Sequence, residues 1–143
     1  MSKRIISLFL AVLLLMSCSA FTVSATDESR VASTNPPMRF SYINDTLTGL
    51  RISTSGVASC VADLSGYSGT TTRIDIEMTL QKRTLLLFWT DEQTWTQTFY
   101  NYYGTLAQTK SVSSGTYRVV ANYTAYSGTK TEKTTGNSGN VAY

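Results

Sequence analysis

Two carboxylates, Asp75 and Glu77, stand two residues apart in the run T-T-R-I-D-I-E-M-T-L-Q. On an extended strand they share a face about 7 Å apart, a separation at which two acids can flank a glycosidic bond. The competing reading is a solvated face on which both acids pair with Arg73 and with neighbours across the strand. No other residues support a hydrolytic centre. The chain has no histidine, which removes the usual general base, the commonest metal ligand and the ordinary catalytic triads. The other close acid pair, Asp91 and Glu92, does not resemble a calcium loop. No nucleophile elbow, phosphate-cradling loop or dinucleotide fingerprint is present. The sequence therefore predicts a protein without catalysis, metal or cofactor.

The aromatic residues are the other chemical signal. Tyr100, Tyr102 and Tyr103 surround Asn101 ahead of Gly104, with Trp95 a few residues earlier. Tyrosine and tryptophan bury area while offering a polar tip, the chemistry of sugar platforms and protein interfaces. If residues 105–114 form a loop, these four rings stand together at one end of the fold and hold a cell-envelope glycan or another protein. Alternatively, Trp95 and Phe99 pack in the core and the tyrosines cap an edge.

Whatever the site, strands must position it. Ile74, Ile76, Met78 and Leu80 alternate with Arg73, Asp75, Glu77, Thr79 and Gln81, which makes residues 71–81 a half-buried strand. Further strands are expected over residues 39–43, 47–53, 57–64, 84–89, 95–99, 117–126 and 129–134. All are rich in Val, Ile, Tyr, Phe and Thr and are broken by Gly, Ser and Asn. No window carries a helical apolar stripe, so the fold class is all-β, a single antiparallel sandwich.

Tyr67-Ser68-Gly69-Thr70 recurs as Tyr126-Ser127-Gly128-Thr129. The recurrence reflects either the general suitability of Ser-Gly for tight turns or two pseudo-equivalent hairpins facing each other across the sandwich. Ser114-Gly115-Thr116-Tyr117-Arg118-Val119 resembles the start of the sixth strand of immunoglobulin domains. That resemblance implies a tyrosine corner at Tyr117 and sets Cys60 opposite Val119, without a disulfide. Trp89 or Trp95 would then fill the space over Ala58, Cys60 and Ala62. The order G-Y-S-G-T, R-I-D-I-E-M-T-L-Q-K, tryptophans, G-T-Y-R-V, Y-S-G and Glu132 also resembles a family of small secreted Gram-positive proteins classed as a domain of unknown function. This second resemblance implies export and a small β domain but no activity.

The N-terminus speaks for export too. Lys3 and Arg4 precede an apolar run over residues 5–16, interrupted only by Ser7, too short to span a bilayer and flanked like a secretion signal. Cleavage after Val23-Ser24-Ala25 releases a secreted form. Alternatively, Leu15-Met16-Ser17-Cys18 reads as a lipobox, with Cys18 lipidated and the protein anchored at the outer membrane surface. The expected organisation is a signal peptide over residues 1–25, a flexible leader over 26–37 and a β-sandwich domain over 38–143. Loss of Lys3 and Arg4 lowers the net charge from +3 to +1, and the remaining bases are dispersed, which argues against nucleic acid. Cys60 is the one cysteine left after Ala25, so packing alone must hold the fold.

Overall fold

The computed structural model describes residues 40–85 and 87–143. The expected signal peptide, Cys18 and the leader over 26–37 lie outside these residues. Among the described residues eight strands follow one another: β1 Ile43–Ile52, β2 Val57–Gly66, β3 Arg73–Thr84, β4 Phe88–Phe99, β5 Tyr103–Ser111, β6 Thr116–Ser127, β7 Lys130–Asn137 and β8 Val141–Ala142. They form two antiparallel sheets, one ordered β1-β2-β5 and the other β4-β3-β6-β7, with β8 also paired to β6. If β4 is taken as the strand added beside the third, this is the strand order of an immunoglobulin-like sandwich. The expected all-β sandwich is what the chain forms.

The alternation in β3 has its anticipated consequence. Ile74, Ile76, Met78 and Leu80 are all buried, beside Tyr117, Val119, Ala121, Tyr123 and Ala125 of the neighbouring β6 and in one core with Ala58, Cys60, Ala62 and Leu64 of β2 in the other sheet. Small residues on β2 leave room for the two large rings of β6. Each tyrosine hydroxyl then finds a hydrogen-bond partner at the margin of the core, as burial of the ring requires. Tyr117 donates to the Ser113 carbonyl at 2.8 Å, four residues upstream. Tyr123 donates to the Leu47 carbonyl at 2.8 Å and lies 2.7 Å from the Thr48 hydroxyl, so a β6 side chain crosses the core and grips β1 of the opposite sheet. A second link joins the sheets at their edge. The Glu132 carboxylate on β7 accepts hydrogen bonds from the backbone N–H groups of Ser41, Tyr42 and Ile43 at 2.9, 2.7 and 3.0 Å. Cys60 is a free, buried thiol.

Several expected boundaries are corrected. Where two strands are expected, over residues 39–43 and 47–53, there is the single strand β1, which begins only at Ile43 and ends at Ile52. Residues 84–89 straddle the β3–β4 turn, and residues 95–99 are the last part of the twelve-residue β4. Residues 105–114 are not a loop, because most of that stretch belongs to β5, paired along the whole of β2. As an edge strand, β5 buries only Gly104 and Leu106, so it lacks the apolar alternation that marks a central strand. The two Tyr-Ser-Gly-Thr copies are not equivalent hairpins. Gly128 turns a tight hairpin with Ser127 paired to Lys130, whereas the first copy lies on the crossing from β2 in one sheet to β3 in the other. What the copies share is a glycine at positive φ, +78° at Gly69 and +60° at Gly128.

A bulge in β4 decides where the tryptophans go. Leu80 pairs with Gln93 but Gln81 pairs with Asp91, which leaves Glu92 as an extra residue. One added residue sends every later side chain to the opposite face. Trp95, opposite Met78, and Phe99, opposite Ile74, pack against the core. Trp89, opposite Arg83, turns to the outer face, where the Arg118 guanidinium stacks 4.1 Å from its ring centroid. Trp89 therefore does not fill the space over Ala58, Cys60 and Ala62.

Candidate functional site: a tyrosine-bearing end

The ends of β2, β4 and β6 and the starts of β3, β5 and β7 meet at one end of the sandwich. Within each sheet, backbone hydrogen bonds carry the β2–β5 and β3–β6 ladders into that end. The Gly66 N–H donates to the Tyr102 carbonyl at 2.6 Å, and the Thr72 N–H donates to the Tyr126 carbonyl at 2.8 Å. Residues 100–102 form the crossing from β4 in one sheet to β5 in the other, and only Tyr102, through its carbonyl, is already held to β2. The Asn101 side-chain oxygen accepts from the Tyr102 N–H at 2.8 Å and stiffens that crossing.

This crossing and the first residue of β5 present three of the four expected site residues. Tyr100 is 84% exposed, Tyr103 55% and Tyr102 39%. The rings of Tyr102 and Tyr103 meet edge to face, with centroids 5.3 Å apart and planes at 75°. That arrangement fixes two amphipathic rings at little further entropic cost when a ligand arrives. Trp95 is not among them. Its place opposite Met78 puts it against the core, four residues back along β4 on the inner face.

The structure adds residues that the tyrosine run does not announce. Tyr67, 43% exposed, lies at the same end on the crossing from β2 to β3. Beside it, the Arg73 guanidinium sits 3.6 Å above the Tyr126 ring centroid and contacts the Asp75 carboxylate at 3.3 Å. Tyr67 and Tyr126 are the first residues of the two Tyr-Ser-Gly-Thr copies. The repeat therefore held a signal for this end of the fold, although the two connections it marks differ.

The two carboxylates behind this end are already engaged. Asp75 accepts from the Thr98 hydroxyl at 2.8 Å as well as from Arg73, while Glu77 accepts from the Asn122 amide at 3.0 Å. Asn122 is itself bound by the Thr135 hydroxyl. Burial works against the charged form of Asp75, but hydrogen bonding from Tyr126 and Thr98 and the Arg73 charge outweigh it. The Asp75 carboxyl therefore lies below the ordinary aspartate value. A general acid needs the opposite shift. The outer face of β4, β3, β6 and β7 around these acids is a shallow trough of about 630 Å³, lined largely by threonines together with Asn122 and Lys133. Among the described residues, no group of three or more metal-ligating side chains could hold an ion, and no helix is long and apolar enough to cross a membrane. Compared with known proteins, the chain matches no family model, no curated protein and no solved structure.

Proposed function

We propose that this chain is an exported, non-catalytic binding module whose tyrosine-bearing end holds a cell-envelope glycan. The observation that carries the reading is the group of exposed rings at Tyr67, Tyr100, Tyr102 and Tyr103, set on short crossings between two rigid sheets. Rings of this kind stack on the apolar faces of sugars while their hydroxyls bond to sugar hydroxyls. Arg73 and Asp75 beside them supply a donor and an acceptor for further polar contacts. Absence of catalysis is supported by the histidine-free sequence and by the ion pair and hydrogen bonds that occupy Asp75 and Glu77. Export is supported by the basic lead and apolar run over residues 3–16. Cleavage after Ala25 releases a secreted protein, whereas lipidation at Cys18 leaves it anchored at the outer surface of the membrane. Neither form requires a cofactor.

The test is co-sedimentation of the chain from Thr26 onward with cell walls and insoluble polysaccharides, beside a Tyr100→Ala/Tyr102→Ala variant. Both side chains are exposed, so the variant should keep the wild-type circular dichroism. Wall binding lost in the variant is the expected result. A wild-type chain that stays in the supernatant, or a variant that sediments equally well, refutes the glycan reading and turns the search to a protein ligand.

One feature supports self-assembly as a second role. Among the described residues β4 pairs only with β3, and its stretch Gln93-Thr94-Trp95-Thr96-Gln97-Thr98-Phe99 has no charge or proline to block an added strand. Concentration-dependent oligomers in sedimentation velocity, abolished by Thr96→Lys, would identify that role.

A further inference from the structure

At the opposite end of the sandwich, the β3–β4 hairpin outruns the fold that supports it. Pairing of β3 with β6 stops at Lys82 and Tyr117, but pairing of β3 with β4 continues to Thr84 and Phe88. Beyond Lys82 the hairpin is thus a two-stranded projection. Its tip is apolar: Leu85 is 82% exposed, Leu87 78% and Phe88 66%. None of these side chains belongs to the core. Leu85 also adopts φ +49°, a conformation that glycine or asparagine would take at lower cost. The other turns use the expected small polar residues, with Gly56, Gly69 and Gly128 at positive φ. Folding explains neither the exposed leucines nor the strained one.

Behind the tip the chemistry changes in layers. Trp89 comes first, with Arg118 at 4.1 Å and Arg83 at 5.9 Å from its ring centroid. Lys82 stands at the same level and is held by the Ser113 hydroxyl at 2.7 Å. The nearest carboxylate along β4, Asp91, lies in the same cross-strand row as Arg118, two residues behind Trp89, and is occupied by the Gln81 amide, while Glu92 lies at the bulge behind it. A convex apolar tip, with an amphipathic indole and cations at its level and just behind it, matches the succession of environments across a bilayer interface. There the acyl region takes apolar side chains, the headgroup level takes tryptophan, and anionic headgroups attract Lys and Arg.

We propose that the β3–β4 hairpin tip is a lipid-surface anchor. Leu85, Leu87 and Phe88 insert into the interface of an anionic membrane while Trp89, Lys82, Arg83 and Arg118 sit among its headgroups. The anchor is independent of the tyrosine-bearing end, so one end of the sandwich rests on lipid while the other faces away from it.

The experiment is flotation of the chain from Thr26 onward with vesicles of phosphatidylcholine containing 30% phosphatidylglycerol. This form lacks the apolar N-terminal run and keeps every strand pairing and core residue found among the described residues. Wild-type protein should float with these vesicles, more weakly at high salt and on pure phosphatidylcholine. Leu87→Ser/Phe88→Ser should lower binding at least about tenfold, since each apolar side chain removed from water carries roughly a tenfold factor. The thermal midpoint should hold, because the tip is outside the core. Brominated lipids should quench the fluorescence of the wild-type protein, and Trp89→Phe should remove that quenching. Tyr100→Ala/Tyr102→Ala should leave flotation unchanged, which separates this anchor from the glycan reading. Failure of the wild type to float, or full binding by the Leu87→Ser/Phe88→Ser variant, overturns the proposal.

Discussion

Replacing Glu132 tests how the two sheets are locked at their edge. Its carboxylate accepts from Tyr42 at 2.7 Å and Ile43 at 3.0 Å in a half-buried setting, and from Ser41 at 2.9 Å in an exposed one. Hydrogen bonds to a charged group contribute about 1.5–3 kcal/mol each, and neutral ones about half that. Solvent weakens the Ser41 bond, so the Tyr42 and Ile43 bonds decide the outcome. Glu132→Gln keeps one acceptor oxygen but loses the charge, at a cost of about 1 kcal/mol for each of these two bonds, roughly 2 in total. Glu132→Ala removes the acceptor altogether and strands two half-buried N–H groups, so its cost rises to about 3–4 kcal/mol. The assay is urea unfolding followed by circular dichroism, with stability taken from the midpoint at constant slope. Amide exchange should localise the effect, with the Tyr42 and Ile43 amides losing protection first. A Glu132→Gln variant within about 0.5 kcal/mol of wild type, or an alanine variant no worse than the glutamine one, would show that the latch does not hold the sheets.

Alkali should destabilise the fold through two buried acids. Burial pushes the Cys60 thiol from 9.0 up to about 11 and, outweighing the Thr48 hydrogen bond, the Tyr123 hydroxyl from 10.0 up to about 12. In each interval the unfolded chain has released a proton that the folded chain keeps, so stability falls as pH rises. The loss begins near pH 9, has a slope of about 1.4 kcal/mol per pH unit for Cys60 alone, and steepens above pH 10 as Tyr123 joins. Urea midpoints at pH 8, 9.5 and 11 measure it. Cys60→Ala should flatten the first part of the decline, and equal midpoints at pH 8 and 10.5 would contradict the account. Gly104→Ala should cost about 1–3 kcal/mol through overpacking, because the new methyl group would overlap the Phe99 ring. A thermal melt indistinguishable from wild type would mean that the ring moves aside freely.

The legible parts of this protein were those governed by local period. Four apolar residues at alternate positions in β3 predicted a buried face, because strand geometry alone sends them to one side, and all four are in the core. The same logic found β2 and β6. It failed for β5, where an edge position needs few apolar residues, and for the turn between β3 and β4, where Leu85, Leu87 and Phe88 mimic a strand in composition. The tyrosines at 100, 102 and 103 were found by type, since exposed amphipathic rings need no tertiary explanation to be noticed.

Trp95 is the one of the four rings that packs against the core, as the alternative reading has it, and the reason is a matter of register. The residue facing each side of β4 depends on Glu92 being the extra residue at the bulge, a pairing choice made with β3 and invisible within β4 itself. Tyr67 and Tyr126 reach the tyrosine-bearing end only because β2 crosses between sheets while β6 turns back within one. Class of fold, absence of the usual catalytic residues and the main buried strand thus follow from residue type and spacing, which act over a few neighbours. Which rings share an end, which tryptophan faces solvent, and that a hydrophobic hairpin projects beyond the core are outcomes of strand pairing between distant segments, decided only when the two sheets close.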